Sequence, residues 1–179
     1  MNSNNLVSIF RKIRIDLLII VGCIALFIPL AIFSRPTRVG DGSEYYALSL
    51  AWSSTHKPFM TDESWLRYDH LFNSGEINSL VDSITLQKWF PGLILGSTED
   101  LAHFWFYSFC AAVISEFGDI VGIRIPIHVT FLMLHCLLLA SMFVIARRTY
   151  GWKGLVAAFI LTFLSPIIWY FDKVHTELF

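Results

Sequence analysis

Two stretches of this 179-residue chain, 126–146 and 154–171, hold almost no charge. They are long enough, or nearly so, to cross a hydrocarbon layer about 30 Å thick. A third run, 17–33, is slightly short but gains length from Ile13 and Ile15, giving a span over 13–33. With 55% hydrophobic and only 15% charged residues, the chain is too apolar for an ordinary water-soluble domain. The expectation is an all-α membrane protein with about three transmembrane helices. Net charge is −1, so no nucleic-acid footprint is present. Cys23, Cys110 and Cys136 all sit inside apolar segments, and their spacing suggests neither a disulfide framework nor a zinc site.

The first run follows Arg11, Lys12 and Arg14, as a secretory leader would, but its core is longer and LAIFSRP lacks a small-x-small cleavage site. It reads as a retained anchor behind a cytoplasmic tail, 1–12. Basic residues in short loops favour the cytoplasm. Arg147, Arg148 and Lys153 in the connection 147–153 form the second basic cluster, so an even number of crossings separates it from the first. The spans 13–33 and 126–146 already supply two. The aromatic segment 101–117, with Phe104, Trp105, Phe106, Tyr107 and Phe109, should therefore lie along or dip into the outer leaflet instead of crossing. Residues 34–125 then form one extracytoplasmic loop, and eleven of the fourteen acids fall between Asp41 and Asp119. The span 154–171 delivers 172–179 to the same side.

Within the loop, 41–52, 77–95 and 101–117 are expected as juxtamembrane helices. Asp41 with Glu44 three residues on has capping-box spacing, and a carboxylate fixed at a helix start is also oriented for proton transfer. Tyr45, Leu48 and Trp52 share the face behind it. The stretch THKPFMTDESWLRYDHLF reads as an irregular surface loop whose acids and histidines have no spacing that forces a metal site. Ile77, Leu80, Val81 and Ile84 recur at helical spacing, and Gly118 ends the aromatic segment. Arg124, just outside the second span, either holds a phosphate or snorkels. His128 and His135, one helical repeat apart, either line a polar path or are neutral and bonded within the bundle.

Taken in order, an anchor, an outward loop opening with GDGSEYY, amphipathic and aromatic juxtamembrane helices, a span ending ARRTYG, the small-residue-rich GLVAAFILTFLSP and a final acidic motif resemble the N-terminal part of the GT-C superfamily of integral-membrane glycosyltransferases. The resemblance lies in the order and spacing of elements over nearly the whole chain. It implies sugar transfer from a polyprenyl-phosphate donor, a lipid-linked substrate held at the membrane, to an acceptor hydroxyl or amine. Asp41 would be the catalytic base, with Glu44 and Glu177 as further catalytic candidates. Arg124, Asp172, Lys173 and His175 would contact substrate, with Arg124 or Lys173 steadying the leaving phosphate. Relatives differ in whether they use a divalent metal (Mg or Mn). The family shape suggests a bacterial inner membrane, although an endoplasmic reticulum protein would read similarly.

A simpler reading of the last residues is a Lys173–Glu177 helix pair beside interfacial Trp169, Tyr170 and His175. Thr176 followed by Glu177, Leu178 and Phe179 resembles a helix start that three residues cannot sustain. The expectation is a truncated chain, inactive alone, whose partner is the remainder of a split transferase. The alternative is a small non-enzymatic accessory subunit that uses its loop to dock.

Overall fold

The computed structural model describes residues 3–37, 39–94 and 105–174. Among the described residues all elements are helical: α1 (Ser3–Phe33), α2 (Gly42–Thr55), α3 (Asp62–Asn73), α4 (Ser83–Trp89), α5 (Trp105–Ile120) and α6 (Ile127–Phe163), with short 3-10 turns at Pro91–Leu93 and Pro166–Tyr170. Among the described residues the only strand-like pairing is an isolated bridge between Met60 and Ile94. Two helical stretches, Lys12–Phe33 and Ile127–Phe163, are long and apolar enough to cross a membrane.

The α6 helix is not straight. Gly151 adopts φ 66° and ψ −151°, which a residue with a Cβ would resist. Phe143 lies 6.5 Å from Phe159 and 6.3 Å from Phe163, ring centre to ring centre. In a straight helix, residues 143 and 163 would be about 30 Å apart, so the chain reverses and 152–163 runs back along 127–150. Gly154 permits the crossing, since a methyl there would collide with the Ala146 carbonyl oxygen and sit 2.6 Å from the Tyr150 Cβ. The return limb breaks before Pro166, and its Phe171 carbonyl reaches His135.

The α1 helix lies antiparallel to the first limb of α6. Ser34 bonds His128 at one end, and Asp16 bonds Arg147 at the other. These polar pairs are eighteen residues apart on α1 and nineteen apart on α6, about 27 Å along either helix. That matches the thickness of a hydrocarbon core. Between them pack Cys23, Phe27, Leu132, Leu139, Ala140 and Phe143.

The second core gathers around α2, which is buried along its whole first ten residues, Gly42–Ala51, and packs against α3, α5 and α6. Small and apolar residues on every side make such a helix an interior element. The α5 helix runs beside the first limb of α6, with Tyr107 at the depth of His135 and Gly118 against Ile123 and Ile125.

Three sequence expectations change. The stretch 62–73 is a helix, because Thr61 and Ser64 form a reciprocal capping box and Tyr68 and Leu71 turn inward at helical spacing. The 77–95 helix is confined to Ser83–Trp89, because Asp82 accepts the Thr85 N–H and starts the helix there. Ile77, Leu80 and Val81 are buried in non-helical backbone, while Ile84 is 80% exposed. Gly118 does not end α5; the turn falls at Gly122, with φ 76° and the Ile123 N–H bonded to the Gly118 carbonyl.

Candidate functional site

The residues singled out for chemistry gather mainly at the end of the α1–α6 pair where Ser34 meets His128. Asp41 is half-buried at the N-cap position of α2, but its side chain makes no capping bond, which corrects the capping-box expectation. Glu44, one turn on, is only 1% exposed. The chain after the return limb lies against this same helix start: a methyl at Gly42 would meet the Val174 carbonyl oxygen at 3.1 Å, and Val174 belongs to the α2 core. The fold therefore brings the Asp41–Glu44 turn and Val174 together across 130 residues of sequence.

Lys173 is held firmly. Its Nζ donates to Asp172 Oδ1 at 2.7 Å and to the Trp169 carbonyl at 2.8 Å, and it lies 4.3 Å from the Trp169 ring centre. His175 and Glu177 lie outside the described residues. Arg124 belongs elsewhere: it lines a separate cleft with Ser53 and Arg67, and Asp41 and Lys173 are not part of that cleft. Ser53 is nine residues beyond Glu44, about 14 Å along α2.

Behind this end runs a polar layer that sequence reasoning sees only in part. His128 Nδ1 meets the Tyr46 hydroxyl at 2.5 Å, and its Nε2 meets Ser34 Oγ at 2.9 Å. One helical repeat deeper, His135 Nδ1 lies 3.2 Å from the Phe171 carbonyl. A carbonyl only accepts, so that nitrogen carries the proton, and Nε2 accepts from the Tyr107 hydroxyl at 2.6 Å. Phe131 packs between the two tyrosines, 5.3 Å from Tyr46 and 5.0 Å from Tyr107. Both histidines are thus bonded within the bundle. Burial, with Tyr107 and Glu76 nearby, pushes the Tyr46 hydroxyl well above its ordinary pKa, so it stays a neutral donor.

At the far end, Asp16 accepts from Arg147 and Arg148 together. An acid inside an apolar run is itself the signal that marks such a residue, and the charge-cluster reading passes over it. The tyrosine partners carry no comparable signal, since Tyr46 looks like core and Tyr107 like part of the aromatic belt, and the hydroxyls find their histidines only through tertiary packing.

Chemically, the arrangement offers one half-buried carboxylate at a helix start, a buried carboxyl one turn away, and, in the segment that ends at Val174 beside that helix start, an ammonium held by Asp172 and the Trp169 carbonyl. Comparison with protein-family models, curated proteins and solved structures finds no match.

Proposed function

We propose that this chain is a GT-C-type membrane glycosyltransferase, or the N-terminal part of one, acting on a polyprenyl-phosphate sugar at the outer face of a membrane such as a bacterial inner membrane. The observation that supports the reading is the meeting of the Asp41–Glu44 turn with Val174, which directly follows Asp172 and Lys173, at one end of the α1–α6 pair. Three crossings, 13–33, 126–146 and 154–171, would put both basic clusters on the cytoplasmic side, in keeping with the Asp16–Arg147 contact. The α5 helix would dip into the outer leaflet without crossing.

In this reading Asp41 takes the proton of the acceptor hydroxyl as its oxygen bonds the anomeric carbon. The bond from that carbon to the phosphate oxygen breaks, and the polyprenyl phosphate leaves with the electron pair. Lys173 replaces Arg124 as the cation steadying that phosphate, because Arg124 lies in the other cleft. Glu44 backs the base from inside the core. Among the described residues no three His, Cys, Asp or Glu side chains converge as metal donors.

The test pairs photocrosslinking with transfer. A diazirine-bearing polyprenyl-phosphate sugar, added to membranes holding the chain, should label peptides spanning 41–44 or 169–174. In native membranes that support transfer, Asp41→Asn should lower it by roughly 10²–10⁴-fold while assembly and labelling persist. Labelling spread evenly over the lipid-facing helices, or full transfer by the variant, would refute the proposal and favour the docking-subunit alternative.

A further inference from the structure

The cleft that holds Arg124 has a composition of its own. It encloses about 170 Å³ and is lined by two cations, Arg67 and Arg124, two anions, Glu76 and Asp119, and the hydroxyls of Ser53 and Ser115. Opposite charges in so small a space would ordinarily pair. None of the four ion pairs among the described residues joins these cations to these anions. Arg67 instead donates to Ser53 Oγ at 3.2 Å. Four charged groups around one cleft suit a ligand that carries both signs at short range.

The place of the cleft narrows the ligand further. Ile127, the first residue of α6, lines it, and the neighbouring His128 meets Ser34 in the polar layer that bounds the apolar α1–α6 pair. Beside Asp119 and Arg124, Ile120 at the end of α5 is 82% exposed and Ile123 on the connection is 61% exposed. Bare isoleucines next to a charged cleft suit a position at the membrane surface, with acyl chains against the isoleucines.

We infer that this cleft binds the phosphoethanolamine headgroup of a membrane phospholipid. The phosphate takes the two guanidiniums, which match its oxygens geometrically. The primary ammonium donates its three N–H bonds to Glu76 and Asp119. A phosphocholine headgroup offers the same phosphate but no N–H, and phosphatidylglycerol offers no cation at all. The site is independent of the Asp41–Lys173 surface and of its proposed chemistry.

Native mass spectrometry of the purified full chain in detergent tests this, using ethanolamine, choline and glycerol phospholipids of identical acyl chains. Exposed charge contacts are worth modest free energies, so retention of the ethanolamine lipid should exceed that of the choline lipid roughly fivefold. Glu76→Gln with Asp119→Asn should abolish that preference, and Arg124→Ala should weaken both zwitterionic lipids. Each altered side chain is exposed, and far-UV circular dichroism checks that the fold survives. Equal retention of the two lipids by the wild-type chain overturns the proposal, even if no variant can be purified. A preference that persists in the double variant overturns it as well. Free O-phosphoethanolamine in excess should leave the lipid bound; complete displacement would overturn the assignment to a lipid and point to a soluble ligand.

Discussion

Replacing Asp16 by asparagine removes the charge to which both arginines at the α6 reversal are tied. Arg147 donates to Oδ1 from Nε at 2.8 Å and also through Nη2, while Arg148 donates to Oδ2 from Nε at 2.9 Å and Nη2 at 2.7 Å. The two pairs are unequal. The carboxylate and Arg147 side chains are 8% and 10% exposed, whereas Arg148 is 62% exposed. Breaking a buried ion pair costs about 3–5 kcal/mol, because the surviving charge stays desolvated. An exposed pair contributes about 0–1 kcal/mol. Asp16→Asn and Arg147→Ala should therefore each destabilise by about 3 kcal/mol, and Arg148→Ala by no more than about 1 kcal/mol. Since Asp16 and Arg147 share one interaction, the double variant should fall short of the sum by about 2 kcal/mol. The assay is reversible unfolding in mixed micelles with a rising fraction of dodecyl sulfate, followed by fluorescence of the chain's six tryptophans. An Asp16→Asn variant within about 1 kcal/mol of wild type would refute the reasoning. So would a larger loss from Arg148→Ala than from Arg147→Ala.

Tyr107→Phe leaves His135 Nε2 without its donor and should cost about 1–3 kcal/mol in the same assay; an unchanged transition would mean that the bond carries no net stability. Gly154→Val drives a branched side chain into the Ala146 carbonyl and should destabilise by about 1–3 kcal/mol; a wild-type unfolding curve would argue against the close crossing. Hydrogen bonds from the Thr85 N–H and hydroxyl hold the Asp82 carboxyl below its usual pKa. A folded value lowered in this way makes the cap fully effective above the unfolded value of about 4, and weaker as pH falls through the folded value. Protection of the Thr85 amide, measured by NMR hydrogen exchange, should follow that course, and protection that is flat through the acid range would contradict it.

Periodicity and composition determined much of the architecture. Apolar runs of spanning length marked α1 and the first limb of α6, whereas α2, expected as a juxtamembrane helix with one apolar face, is buried all round because α3, α5 and α6 enclose it. Local chemistry also placed the start of α2 after Gly40 and Asp41, although not the role of the Asp41 side chain. Where sequence reading went astray, the competing signals were local too. Ile77, Leu80 and Val81 have helical spacing in non-helical backbone because spacing alone does not reveal that Asp82 caps a later start. The stretch 62–73 looked irregular because its charges masked an inward stripe ending at Leu71.

Tertiary structure alone decided which groups meet. Side chains at 34 and 128, 46 and 128, 107 and 135, or 16 and 147 are joined only by the antiparallel register of α1 and α6 and by the insertion of α2 and α5 against them. Packing also moved Arg124 away from Asp41 and into the cleft with Arg67, Glu76 and Asp119. Helix formation depends on neighbours three and four residues away, so a sequence displays it directly. The pairing of distant polar groups depends on which faces bury together, and that follows from the whole set of contacts acting at once.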